Sequence, residues 1–373
     1  MRLLHSALFC GSSVRTSRSK LFLSSPFQQL LGTPVILPGL SSIVDRYDLI
    51  LLDQFGVLHD GNTLHAGVPE FLEYLLQKQK TTCIVSNTSS RRAAAAKRLA
   101  ALGVRGQDPN LIITSGEAAF EWLAAAAAAA TAASTAPLKV AWITWNHVSV
   151  DEYFHGLPEG QIQITPVETA DLLFLHGSDA VATSATARLA VPSFLTDGDV
   201  SHPAINHVLR TAAARRLPAV CANLDHTAVT PAGTINFMPG LLKKEYERLG
   251  GTCVGFGKPH KEFFERAVAA AVTGRNNNKK LRALHIGDSL CHDVAGATLA
   301  GIDSVLVTAD GVHRAALTDT RAAQLESERG EKNRALLDFD GPPLEKSLLQ
   351  KVCDLADELM TPRPTFIVKH CRL

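Results

Sequence analysis

The sequence has no C-x-x-C pair, and its seven cysteines (Cys10, Cys83, Cys221, Cys253, Cys291, Cys353, Cys371) are widely spaced and odd in number. That argues against a disulfide framework and against a structural zinc site. Cys83 lies in the apolar run Thr82-Cys83-Ile84-Val85, where a buried free thiol acting as a small hydrophobe is expected. No run of about 18 apolar residues occurs, and the longest bland stretch, Ala124 to Ala130, is too short and too weakly hydrophobic to cross a bilayer. A soluble protein with no membrane partner is expected. Neither sign of charge is in excess: the formal net charge is +1, with no dense basic stripe, zinc-finger spacing or RNA-binding aromatic signature. Nucleic acid is therefore not an expected partner. No internal repeat of fixed period is evident.

What remains is an ordinary globular composition, 46% apolar and 20% charged over 373 residues, enough for roughly two domains with substantial cores. The amino terminus differs from the rest. Up to Val44 it has no acidic residue, while Arg2, Arg15, Arg18, Lys20 and seven serines crowd its first 25 positions. This is the composition of an organelle transit peptide, mitochondrial or plastid. A disordered tail on a cytoplasmic protein is the alternative reading of residues 1–44.

Beyond Asp45, short aliphatic runs alternate with longer helical stretches, the signature of an α/β domain with a parallel sheet. Strands are expected at Leu49 to Asp53, Thr82 to Ser86, Leu111 to Thr114, Val140 to Thr144, Leu172 to His176, Ala219 to Ala222, Ala283 to Ile286 and Ser304 to Val307. Helices are expected at Val68 to Gln79 and Arg91 to Leu102, the latter closed by Gly103. The alanine-rich stretch Ala118 to Ala133 has high helix propensity and little to bury, so it reads as a surface helix ended by Pro137. From Leu138 to about Gly250 a second strand-helix series intervenes and reads as an inserted domain. The expected organisation is a core in two parts, 45–136 and 251–318, around an insert at 137–250, followed by an extension at 319–373. In that extension Asp319 to Arg334 reads as an exposed helix or linker, and Phe366-Ile367-Val368 as an edge strand.

Four polar clusters fall at the ends of apolar strands: Asp53; Ser86-Asn87-Thr88; Lys258 within Gly257-Lys258-Pro259; and Gly287-Asp288 through Asp293. In a parallel sheet such strand ends converge on one crevice. Crowded carboxylates repel, so a hard cation such as Mg²⁺, held by oxygen ligands, is the natural counter-charge, and a phosphate completes the balance. Asp53 would then attack phosphorus, Lys258 would neutralise the equatorial oxygens, and Ser86 with the Asn87 amide would hold the transferring group in line. Taken singly, each cluster reads equally as a turn or a helix cap.

These motifs, in this order, resemble the four motifs of the haloacid dehalogenase superfamily, over about Tyr47 to Arg314. The insert between the second and third motifs, with Cys221-Ala222-Asn223-Leu224-Asp225 and Met238-Pro239-Gly240 before Gly257-Lys258-Pro259, resembles subfamily IIA with its C2-type cap, which includes nitrophenyl, pyridoxal and nucleotide phosphatases. The resemblance implies a doubly wound parallel-sheet α/β core with an inserted α/β cap, and a phosphatase acting on a small phosphorylated metabolite. It implies Asp53 as nucleophile and Mg²⁺ ligand, Asp288 as a second ligand, Asp293 as outer support and Lys258 as stabiliser of the phosphoaspartate. Ser86, Asn87 and Thr88 become the phosphate-binding group, and Asn223 and Asp225 the substrate loop or, equally, a turn. Some subfamily members dimerise through the cap, so a homodimer is among the expectations.

Phe55 departs from the pattern. The family's phosphatases carry at that position an aspartate that protonates the leaving group and then activates water, worth about 10²- to 10⁴-fold. Phenylalanine cannot transfer protons, although its backbone carbonyl can still face a metal. His59 or Asp60 in the following turn could serve as a surrogate acid, or Asp60-Gly61 is simply the turn itself. A phosphometabolite-binding protein without turnover and a phosphotransferase are the rival readings.

Overall fold

The computed structural model describes residues 32–134, 136–230, 232–273, 281–317 and 344–373. They form two compact units, one made of Val85–Ala101 and Asp108–Phe263, the other of 32–84, Leu102–Gln107 and Phe264–Leu373. Residues 137–250 thus share a unit with flanking chain on both sides.

In the unit built from the chain's two flanks, strands pair in the order Val35–Ile36, Phe366–Val368, Asp303–Val307, Ala283–Gly287, Leu49–Leu52 and Thr81–Ser86, the last crossing into the other unit at Val85. Every pair among these is parallel. Leu49–Leu52 is completely buried along its length, which accounts for its continuous apolar run: a strand covered on both faces has no polar side to alternate with. Cys83, in the next strand, is fully buried as expected. The expected edge strand Phe366–Val368 is instead internal, flanked by Asp303–Val307 and Val35–Ile36. The edge belongs to a two-residue strand too short to show any periodicity. Helix Leu344–Glu358 contributes Val352 and Ala356 to a cluster with Leu290, Val294, Leu306 and Ile367. Asp319 to Arg334 lies outside the described residues, as does most of the expected leader, whereas residues from Gly32 onward belong to this unit.

The other unit holds a second sheet, ordered Thr252–Gly255, Pro218–Cys221, Leu172–Leu175, Leu138–Thr144, Ala180–Ala182 and Arg188–Ala190, with Ile162–Ile164 pairing the first half of Leu138–Thr144. Its first four strands are parallel and the last two antiparallel. A separate hairpin pairs Thr227–Val229 with Ile235–Phe237. Leu138–Thr144, Leu172–Leu175 and Pro218–Cys221 fall where strands were expected, whereas Thr252–Gly255 and the three-residue strands went unseen because alternation needs more residues to register.

The alanine-rich helix runs from Ser115 to Ser134 and is not the bare surface helix expected from its composition. Ala119, Phe120, Leu123, Ala126 and Ala127 are buried in one cluster with Trp142, Tyr153, Phe154 and Phe174. The bulk in this layer comes from the aromatic residues, and the alanines let the helix backbone approach them closely. That account makes a prediction about volume. Ala127→Leu overfills a fully packed position and should cost about 1–3 kcal/mol, whereas Ala128→Leu on the exposed side should be near neutral. Urea unfolding of the two variants provides the comparison, and equal midpoints would contradict the packing described.

Candidate active site

Leu49–Leu52 and Ala283–Gly287 are adjacent parallel strands, registered Leu52 to Ile286. The next residue of the first is Asp53, whose amide donates to the Ile286 carbonyl at 3.0 Å. The carboxylates of Asp53, Asp288 and Asp293 are all buried and offer oxygens within 4.8 Å of one another. At that spacing, and with an effective dielectric near 20, each ionised pair repels by roughly 3 kcal/mol. Hydrogen bonds offset part of this. Asp293 Oδ1 accepts from His285 Nε2 at 2.7 Å, and its Oδ2 from the amides of Ser289 and Asp288 at 2.9 and 3.2 Å. Asp288 Oδ2 accepts from the Val312 amide at 2.8 Å. With both oxygens engaged by protein donors, Asp293 holds the turn that presents Asp288. The donor set is entirely carboxylate oxygen, which suits a hard divalent cation. Two glycines enclose it: a Cβ at Gly56, whose φ is +73°, would lie 2.3 Å from Asp288 Oδ2, and one at Gly311 would lie 2.2 Å from Asp288 Cβ. Any side chain at either place would displace the carboxylate.

After Asp53 the chain turns tightly, with the Leu58 amide donating to Gln54 O at 2.8 Å and the Gly56 amide to His59 O at 3.1 Å. Phe55 meets the fully buried His59 edge to face, ring centroids 4.6 Å apart. His59 Nδ1 accepts from the Gly61 amide at 3.0 Å, so the neutral ring carries its proton on Nε2. Asp60 Oδ1 accepts from the Asn62 and Thr63 amides, both at 2.8 Å. These bonds, Thr63's foremost, hold the Asp60 carboxyl below its ordinary range. Asp60 is thus the acceptor that closes the turn.

The remaining sequence-selected residues gather in the other unit. Asn87 Nδ2 donates to Asp225 Oδ1 at 2.8 Å and to Lys258 O at 3.0 Å, while its Oδ1 accepts from the Lys258 amide at 2.7 Å. Gly257 makes this approach possible: with φ at +116°, a Cβ there would lie 2.2 Å from Asn87 Oδ1. The Asn87 side chain is therefore a clamp on the Lys258 backbone. Asn223 Oδ1 accepts from the Asp225 amide at 2.8 Å, an Asx turn that aims Asp225 at Asn87. Ser86, Asn87 and Lys258 are each 2% exposed. Ser86 Oγ accepts from the Thr88 amide at 3.3 Å, and the Thr88 carbonyl receives the Ser115 hydroxyl and the Gly116 amide, both at 3.0 Å.

Sequence reasoning missed the other half of this scaffold. Arg91 is bidentate on Glu117 at 2.9 and 3.2 Å, donates to Tyr153 O at 2.8 Å and lies 3.2 Å from the Phe120 ring centroid. Burial pulls the Glu117 carboxyl upward, but the bonds from Arg91 and the Arg92 amide outweigh it and hold the group below its ordinary range. Trp145 Nε1 donates to Ser89 Oγ at 2.8 Å. His176, buried among Trp142, Tyr153 and Phe174, bonds Thr144 Oγ1 at 3.0 Å. The run Ser89-Ser90-Arg91-Arg92 directly after the second motif was the only available signal.

Residues 50–139 match the family model for haloacid dehalogenase-like hydrolases, and residues 255–328 match a second model described as HAD-hydrolase-like. The chain is thus similar to haloacid dehalogenase-like hydrolases on both sides of residues 140–254. Among solved structures, a haloacid dehalogenase-like hydrolase from Brucella suis is 26% identical with a TM-score of 0.59, covering 76% of this chain and 93% of its own. A protein described as a possible sugar phosphatase of the superfamily, from Cytophaga hutchinsonii, is 20% identical with a TM-score of 0.61, covering 91% and 99%, and shares the fold. Comparison with curated proteins gives no match.

Two predictions follow from the bonding. Asp293→Asn, which keeps shape but weakens the bonds that orient Asp288, should lower divalent-cation affinity about 10- to 100-fold by calorimetry with the circular dichroism spectrum unchanged. The second concerns His176, whose pKa burial lowers from 6.5 to about 3. Below pH 6.5 the unfolded chain takes up a proton that the native ring refuses. The stability held above that pH is therefore lost as pH falls toward 3, at up to about 1.4 kcal/mol per pH unit. In His176→Phe the stability determined by urea unfolding should fall less steeply between pH 6.5 and 5, by about one proton's worth. An unchanged slope would mean that His176 does not titrate in this way.

Proposed function

We propose that this protein is a Mg²⁺-dependent phosphomonoester hydrolase acting on a small phosphorylated metabolite through an aspartyl-phosphate at Asp53. The observation that carries this reading is the trio of buried carboxylates, Asp53, Asp288 and Asp293, at the ends of two adjacent parallel strands. Matches to two models of haloacid dehalogenase-like hydrolases, and 26% identity to a protein named as a hydrolase, support it.

In this reading an Asp53 oxygen forms the new bond to phosphorus as the ester P–O bond breaks, and the departing oxygen takes its proton from solvent water. Lys258, the Ser86 hydroxyl and the Asn87 main-chain amide neutralise the equatorial oxygens, while the Asn87 carboxamide holds Lys258 in place from behind. Asp53, Asp288 and the Phe55 carbonyl would hold Mg²⁺, with Asp293 in support. When bound, the ion supplies charge neutralisation for the carboxylates and polarisation of the phosphoryl group.

Phe55 favours a second reading for the later half of the reaction. It cannot activate water, and Asp60 is fixed as a turn acceptor with a lowered pKa, which disqualifies it as a general acid near neutrality. Hydrolysis of the phosphoaspartate should then be slow, and capture or transfer of the phosphoryl group should outpace release.

The test is Mg²⁺-dependent phosphate release from a panel of small phosphate esters. Asp53→Asn should abolish it, and Phe55→Asp should raise the steady-state rate at least tenfold by restoring a proton-transfer group. Release that persists in Asp53→Asn would refute the nucleophile. A rate unmoved by Phe55→Asp would show that residue 55 does not limit turnover.

A further inference from the structure

The four parallel strands of the second sheet, Leu138–Thr144, Leu172–Leu175, Pro218–Cys221 and Thr252–Gly255, end along one edge. Segment 86–91 is bonded to a residue just beyond three of them. Ser89 takes Trp145, beyond the first strand, and Asn87 takes Asp225 and Lys258, beyond the last two. The carboxyl-terminal edge of parallel strands is where open α/β sheets bind ligands.

Of the four strand-end residues, three are already committed. His176 is enclosed in the aromatic core, Asp225 accepts from Asn87, and Lys258 is buried. Trp145 differs: it is half-buried and is not among the buried residues of the two clusters built around Leu173 and Trp142, with its ring nitrogen tied to Ser89, three residues from Ser86. Its backbone is also fixed. The Arg188 guanidinium donates to the carbonyls of Trp145, Asn146 and Val148 at 3.3, 3.0 and 2.6 Å, and Asp179 accepts from the Asn146 amide at 2.6 Å. A Cβ on Gly177 would lie 2.3 Å from the Trp145 amide nitrogen, so the next strand end presses directly against it. An indole held at one edge by a hydrogen bond, on a backbone fixed by an arginine and with the His147 ring 6.4 Å away between centroids, is a pre-organised apolar surface, and its use in binding costs little ordering entropy.

We infer that Trp145 determines specificity for the leaving group. Its ring face receives a flat or puckered ring carried by the phosphate ester, and discriminates ring-bearing esters from open-chain ones. This rests on the proposed assignment of Ser86 and Asn87 to the phosphate. Both aromatic rings and the apolar face of a pyranose satisfy such a surface.

The experiment measures binding, so it does not depend on turnover. In the full chain carrying Asp53→Asn, with Mg²⁺ present, calorimetry compares phenyl phosphate, glucose 6-phosphate, glycerol 3-phosphate and inorganic phosphate. At least one ring ester should bind about tenfold more tightly than glycerol 3-phosphate, and which of the two does so separates an aromatic from a sugar ligand. Adding Trp145→Leu should erase that ratio while inorganic phosphate affinity changes less than about threefold. Trp145→Phe, which keeps a ring but loses the bond to Ser89, should retain most of the ratio and also serves if the leucine variant does not fold. A ratio unchanged in Trp145→Leu, a ratio lost equally in Trp145→Phe, or no ring preference to begin with would overturn the inference alone. Failure to bind any of the four ligands, inorganic phosphate included, would overturn the phosphatase reading and this inference with it.

Discussion

The parallel pairing of Leu49–Leu52 with Ala283–Gly287 forces Asp53 and Asp288 out of the sheet side by side. Once both are buried, their repulsion must be met locally, and the surrounding chain is arranged around that demand. His285, within the second strand, reaches Asp293, and Asp293 gathers the amides of the turn after Gly287. Gly56 and Gly311 leave no side chain between the backbone and the Asp288 carboxylate. Each of these features is costly or pointless without the charges they serve. A bound hard cation would relieve that repulsion.

In the second unit the corresponding constraint is the Asn87 carboxamide. One side chain meets a backbone amide, a backbone carbonyl and a carboxylate, using both Nδ2 hydrogens and its oxygen. A carboxamide is the only side-chain group that both donates twice and accepts in one plane. Aspartate would face Asp225 with like charge, and a shorter hydroxyl could not span all three partners. The position therefore requires asparagine for structural reasons before any ligand is considered.

This difference between a residue type and its use explains what was legible in the sequence. Asp53, Ser86, Lys258 and Asp288 could be found because each ends an apolar run, and such runs are visible in one dimension. The core strand Leu49–Leu52 was legible for the same reason. What Asn87 does with its side chain was not, since its partners lie 138 and 171 positions away. Arg91, Trp145 and His176 were invisible because an arginine in a helix start or a tryptophan after a strand looks the same whether it faces solvent or clamps a loop. The helix Ser115–Ser134 was misjudged because alanine carries little hydrophobic signal, and its burial depends on aromatic neighbours brought by other strands. The edge strand Val35–Ile36 was lost to its length.

Phe55 is where folding and chemistry make separate demands on one position. The turn after Asp53 is held by the bonds from Leu58 to Gln54 and from Gly56 to His59, and by the left-handed conformation of Gly56. None of these uses the side chain at 55. A phenyl ring packs there against the His59 edge with the acidic cluster left intact. The groups proposed for capturing a phosphoryl group are all present, and the one function a phenyl ring cannot provide is movement of a proton. Residue 55 thus withholds proton transfer from both halves of the proposed reaction: the departing ester oxygen has no acid at this position, and hydrolysis of the phosphoaspartate has no base there, while Asp60 is occupied in closing its turn.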